Sequence, residues 1–142
     1  MPTPEEIQKS IDKIDVKIKQ EEAKTPVDAN EVARLKREKE IKELEKQIAI
    51  LDQTINSLNR SIEKHVGEKD VVSGLEDKLA KKEADKAELQ KQLSKKKKEH
   101  RIKELEEKIN DMTAADPKKN EKEIEKAKGE IEKLQKEIDA IK

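Results

Sequence analysis

Two histidines, 34 acidic side chains and no cysteine are the raw material from which this chain could build a catalytic or metal site. A di-metal carboxylate bundle places Glu three residues before His on its helices. Here Ile62 and Lys97 hold those positions before His65 and His100. Neither histidine has Cys or His neighbours at zinc-ligand spacing. Both therefore read as seam or surface residues, with His65, near a turn, as a group that tunes stability below about pH 6.5. Carboxylates at this density meet by chance, so no pair marks itself as a general acid and base. No Ser, Thr or Lys lies in a recognisable triad or nucleophile elbow. Gly67, Gly74 and Gly129 are too scattered to cradle a phosphate, and the sequon Asn59-Arg60-Ser61 falls inside an expected helix. The expectation is a chain with no catalytic, cofactor-binding or metal-ligating residues, no cofactor and no small-molecule substrate, and hence not an enzyme.

One dense basic run remains, Lys95-Lys96-Lys97-Lys98 with His100, Arg101 and Lys103. It has no aromatic neighbours to stack on bases, and Glu99, Glu104, Glu106 and Glu107 lie within reach. It reads as a solvated helix face, and no specific nucleic acid partner is expected. The balance of 34 basic against 34 acidic groups likewise gives no general attraction to nucleic acid or anionic lipid. No apolar run approaches the roughly 20 residues of a membrane span, and the first residues do not resemble a signal peptide. A soluble protein is expected, intracellular or a processed fragment, with the compartment itself left open.

The elements that carry these residues are set by what the chain lacks. It has no Phe, Tyr or Trp, 48% of it is charged, and its Ile and Leu recur at intervals of three and four. Slim aliphatic side chains suit the seam between helices. Thr3-Pro4-Glu5-Glu6 is a helix start with a cap, a first-turn proline and a capping box, and Ile7, Ile11, Ile14 and Ile18 follow. Thr25-Pro26 ends that helix. Thr25 or Asp28 restarts the chain into a long helix whose seam is Ile41, Leu44, Ile48, Leu51, Ile55, Leu58 and Ile62, stopped by Gly67. Ser73-Gly74-Leu75-Glu76 reads as a further capping box. The third helix carries Leu75, Leu79, Leu89, Leu93, Ile102, Leu105, Ile109 and Met112, with Lys82 and Lys86 at core positions. Asp116-Pro117 starts a fourth with Ile124, Ala127, Ile131, Leu134, Ile138 and Ile141. The predicted helices span about 4–24, 27–66, 74–113 and 117–142, with a hairpin turn at 67–73, in one elongated domain, 1–142.

Nine residues separate Val32 from Ile41, and nine separate Leu93 from Ile102. At roughly 100° per residue this turns the apolar stripe by about half a turn. Each long helix therefore needs different partners at its two ends. The expected fold is all-α: an antiparallel coiled-coil hairpin of two long helices, with the two shorter helices packing back to form a four-helix bundle at one end. The register brings Ile48 to Leu93, Leu51 to Leu89, Leu35 to Leu105, Ile11 to Ile41 and Ile131 to Ile102.

The charged coat disappears along Gln47–Ile62, where only Asp52 and Arg60 are charged. Interface centres are depleted in charge. Ala49, Ile50, Gln53, Thr54, Ser57 and Ser61, with the small-residue stripe Ala80, Ala84 and Ala87, are the candidate protein interface. Val71 and Val72, expected in the hairpin turn, are a candidate tip contact. The functional expectation is a structural or scaffolding coiled coil that forms homo-oligomers through helix–helix contact. An adaptor that holds a protein partner at its tip or charge-depleted face is the first alternative. A designed helical bundle is the second, although lysines at core positions and the stripe switch depart from idealised patterning.

Overall fold

A computed structural model describes residues 2–141 and holds four α-helices: α1 Pro4–Glu22, α2 Ala29–Lys64, α3 Lys69–Ala115 and α4 Glu121–Ala140. Met1 and Lys142, the outermost residues of the expected domain and fourth helix, lie outside the described residues. Thr3 caps α1 by accepting the Glu6 amide at 3.2 Å, with Pro4 in the first turn. Asp28, not Thr25, caps α2, accepting the amides of Asn30 and Glu31 at 3.1 and 3.2 Å.

Two expected boundaries move. The hairpin turn is shorter than 67–73: it closes within His65–Glu68, where Gly67 takes a φ of 97° and the Glu68 amide donates to the His65 carbonyl at 2.9 Å. The left-handed Gly67 reverses the chain by itself. α3 therefore starts at Lys69, and the Val72 amide already donates to Glu68 at 2.9 Å. Ser73 through Glu76 consequently lie within a helix already running and cap nothing. Val71 and Val72 sit in the first turn of α3 and not in a loop. At the other boundary Asp116-Pro117 does not open α4. The Asp116 carboxylate accepts the Lys119 amide at 3.1 Å, and the Asn120 side-chain amide donates to the Met112 carbonyl at 3.0 Å. These bonds hold 117–120 as a turn and satisfy a carbonyl at the end of α3, so α4 begins at Glu121.

Packing follows chain order: α1 lies along α2, α2 along α3, and α3 along α4. α2 and α3 form a long antiparallel hairpin, α3 extending about 70 Å at about 1.5 Å per residue. Ion pairs Lys86–Asp52 (2.5 Å), Lys96–Glu40 (3.5 Å) and Arg37–Glu107 (3.7 Å) mark a register that places Leu51 with Leu89 and Ile48 with Leu93, and each of these two pairs lines a common cleft. α1 returns along the lower part of α2, tied by Lys39–Asp15 at 2.7 Å and Lys46–Gln8 at 2.5 Å. α4 returns along α3 through Arg101–Glu130 at 3.3 Å and Lys98–Glu137 at 3.8 Å. The lower end is thus a four-helix bundle and the upper end a bare hairpin.

Among the described residues full burial is confined to the bundle end. Ile7, Ile11, Ile14 and Ile18 of α1 are buried, as are Val32 and Leu35 of α2; Ile14, Ile18, Val32 and Leu35 form one cluster. Ile102 and Leu105 of α3 are buried, as are Ile124, Ala127 and Ile138 of α4. Among the described residues no side chain between 36 and 101 is buried. Burying a Leu or Ile fully contributes about 1.5–3 kcal/mol, so the hairpin's half-buried seam is the weaker part of the molecule.

Gly129 and Gly74 lie inside helices with open space where a Cβ would stand, whereas Gly67 is held at positive φ. Gly129→Ala and Gly74→Ala should each raise unfolding free energy by about 0.8–1 kcal/mol. Gly67→Ala should lower it by about 1 kcal/mol or more. Urea denaturation of the three variants checks both signs.

Candidate interaction surface

The half-turn switch of each apolar stripe divides the two long helices into zones. Ile41 through Ile62 of α2 face α3. Below them Val32 and Leu35 turn away and are buried with Ile14 and Ile18 of α1. Likewise Leu89 and Leu93 of α3 face α2, while Ile102 and Leu105 are buried at the level of α4. What then fills the lower α2–α3 seam is polar. Arg37 donates through Nε to His100 Nδ1 at 3.1 Å, and His100 Nε2 lies 2.6 Å from Glu104. Arg37 Nη2 is buried without a hydrogen-bond partner, its nearest carboxylate being Glu107 at 3.7 Å. A half-buried, hydrogen-bonded polar layer of this kind adds little net stability. His100 is thus the seam histidine. His65 follows α2 as its C-terminal cap, with Nδ1 2.5 Å from Glu68.

Three lysines of the basic run are paired within the chain. Lys96 meets Glu40 of α2 at 3.5 Å, Lys97 meets Glu45 at 3.8 Å, and Lys98 meets Glu137 of α4 at 3.8 Å. No group of His, Cys, Asp and Glu among the described residues has the arrangement of a metal site. No helix among the described residues is long and apolar enough to cross a membrane.

The candidate interface residues share a place that their spacing alone did not reveal. Eighteen residues make about five whole helical turns. Eighteen separate Val32 from Ile50, Leu35 from Gln53, Lys39 from Ser57 and Glu43 from Ser61. Val32 and Leu35 pack with α1, Lys39 pairs with its Asp15, and Glu43 shares a cleft with Gln8 and Ile11. The same interval separates Ala84 from Ile102, Ala87 from Leu105, and Ala80 from Lys98, which lie on the side of α3 that meets α4. The two sets are therefore upward continuations of the faces on which α1 and α4 dock. They sit on different helices and occupy two faces of the hairpin.

The short helices stop before covering them. Extending the Lys39–Asp15 and Lys46–Gln8 register puts the start of α1 level with Ile50, and Pro4 and Ile7 line a cleft of about 700 Å³ with Ala49 and Gln53. Ile50 is 44% exposed. Gln53, Ser57, Ala80, Ala84 and Ala87 are exposed; Ala49, Thr54 and Ser61 are half-buried. Thr54 turns its hydroxyl back to the Ile50 carbonyl at 3.2 Å. Of the two charges in the stretch, Asp52 is paired with Lys86 at 2.5 Å. Near the tip Val66 is 78% and Val71 43% exposed, while Val72 is half-buried.

Comparison with protein-family models, with curated proteins and with solved structures returns no match to this chain.

Charge still acts locally. Arg34 bridges Glu31 and Glu38 on one face of α2. Its hydrogen bonds to Glu31 hold that carboxyl below the usual carboxylate range. A depressed carboxylate stabilises the fold above the unfolded-chain value, about 4.3 for Glu, and that contribution is lost as pH falls through the folded value. Glu31→Gln should therefore cost about 0.3–1 kcal/mol at pH 7, as for a solvent-exposed pair. At pH 2 the variant and the parent should unfold alike in urea.

Proposed function

We propose that the chain is a non-enzymatic structural or scaffolding subunit, a stiff helical rod that works by self-association. The observation that carries this reading is the pair of docking faces left open above α1 and α4. Below, α1 and α4 lie along the long helices, and Val32, Leu35, Ile102 and Leu105 are buried. Above, the same faces continue into a hairpin whose seam is nowhere fully buried. On α2 the coat of Lys and Glu that keeps the rest of the rod apart from its neighbours is replaced between Gln47 and Ile62 by Ala, Ser, Thr, Asn and Gln. A second chain on that surface completes the seam and removes few charges from water.

Mass in solution tests this. Multi-angle light scattering should give a mass above that of one 16.3 kDa chain at tens of micromolar. Ile50→Glu with Thr54→Glu should reduce it to a single chain while leaving helicity unchanged. A parent protein that stays monomeric at millimolar concentration would overturn the reading.

The exposure of Val66 and Val71 supports a second reading, in which the hairpin tip holds a protein partner. The mass measurement separates the two: an adaptor of this kind has the mass of one chain in the absence of its partner.

A further inference from the structure

The self-association proposed above has a definite geometry. On the back of α2 the open face is bounded at both ends: below by the start of α1, level with Ile50, and above by the end of the helix at Lys64. Its length is about 21 Å at about 1.5 Å per residue. We propose that the occupant is the same segment of a second copy, laid antiparallel across it about a two-fold axis at Ser57, so that Gln53 of each chain faces Ser61 of the other.

Four observations select a second copy in this orientation. First, the face continues the one on which α1 packs, so it already has the shape that receives an antiparallel helix: Val32 and Leu35 below are buried with Ile14 and Ile18, and Ile50 and Gln53 follow in phase. Second, a two-fold contact requires a surface complementary to itself. Gln53, Ser57 and Ser61 each carry a donor and an acceptor and no charge, and the two exposed cations beside them, Arg60 and Lys64, would meet Thr54 and Ile50 of the other copy and not each other. Third, the bounded length fits. A copy of residues 50–64 running antiparallel spans the open face and ends where α1 begins. Fourth, the helix ends agree. α1 runs antiparallel to α2 with Pro4 at the top, and the incoming α2 also runs downward. Its C-terminal end therefore meets the N-terminal end of α1. The negative end of one helix dipole lies against the positive end of the next, which is the favourable sense. In effect the partner's α2 extends α1 up the rod.

The alanine stripe on α3 occupies the other continuation and takes no part in this contact, so Ala84 provides the internal control.

The absence of cysteine from the chain makes the geometry directly testable. Single-cysteine variants Ser57→Cys, Gln53→Cys, Ser61→Cys, Ala84→Cys and Glu132→Cys are treated with a short bis-maleimide. Ser57→Cys should cross-link to a dimer alone. Gln53→Cys and Ser61→Cys should cross-link at least tenfold faster when mixed than either does alone. Ala84→Cys and Glu132→Cys should remain at the background rate. Light scattering on each untreated variant shows whether it still associates. If the variants associate and Ser57→Cys gives no more product than Glu132→Cys, the geometry is wrong while self-association stands. Should Ala84→Cys be the fastest, the α3 face is the interface and the proposal fails. If no variant and no parent sample associates, both the geometry and the functional reading fail together.

Discussion

The controlling constraint is helical phase. A helix with one apolar stripe can serve one neighbour. α2 and α3 each serve two, because each stripe steps by half a turn partway along. The step at Val32–Ile41 frees one end of α2 for α1, and the step at Leu93–Ile102 frees one end of α3 for α4. Everything else follows from that division. The aliphatic side chains that face outward at the lower end need cover, and the short helices supply it. The lower inner seam, deprived of its Ile and Leu, is filled by Arg37, His100 and Glu104. The upper inner seam keeps its aliphatic ladder and has no cover on its back. Among the described residues full burial is accordingly restricted to one end of the molecule, and the proposed association would complete the other.

Lack of aromatic rings belongs to the same logic. Between paired helices there is room for Ile, Leu and Ala, and no wide centre for a ring to occupy. Charge balance performs the complementary task. Lys96, Lys97 and Lys98 find carboxylates on α2 and α4, so a run that looks like an anion site in one dimension is a set of lateral ties in three. Such exposed pairs contribute little each; their effect is on register and on keeping most of the rod's surface hydrated.

Much of this architecture was legible in the chain. The 4-3-4 ladder of Ile7 to Ile18, the heptads of Ile41 to Ile62 and the half-turn steps sufficed for four helices in an antiparallel order, because periodicity is a property of sequence. The boundaries were less legible where local chemistry competed. Ser73-Gly74-Leu75-Glu76 has the letters of a capping box, but Gly67 had already turned the chain six residues earlier, and an existing helix needs no new start. Asp116 chose a turn to Lys119 over a helix cap. The Arg37–His100–Glu104 layer was invisible because it depends on which residues face each other across two helices. Its signal lay in the register, which sets Arg37 within one turn of His100 and Glu107. The candidate interface was found through its missing charge. Its meaning, as a continuation of the faces that receive α1 and α4, needed the ends of those short helices to be placed.

On the proposed reading the bundle end is stable by itself and the hairpin end gains stability from a second chain. Native-state hydrogen exchange across a dilution series tests it most directly, since exchange reports local opening free energies along the chain. Amides near Leu35 and Leu105 should exchange only through global unfolding at every concentration. Amides from Leu51 to Leu89 should exchange through easier openings in dilute protein and gain protection as concentration rises. Equal protection of both ends at all concentrations would contradict it.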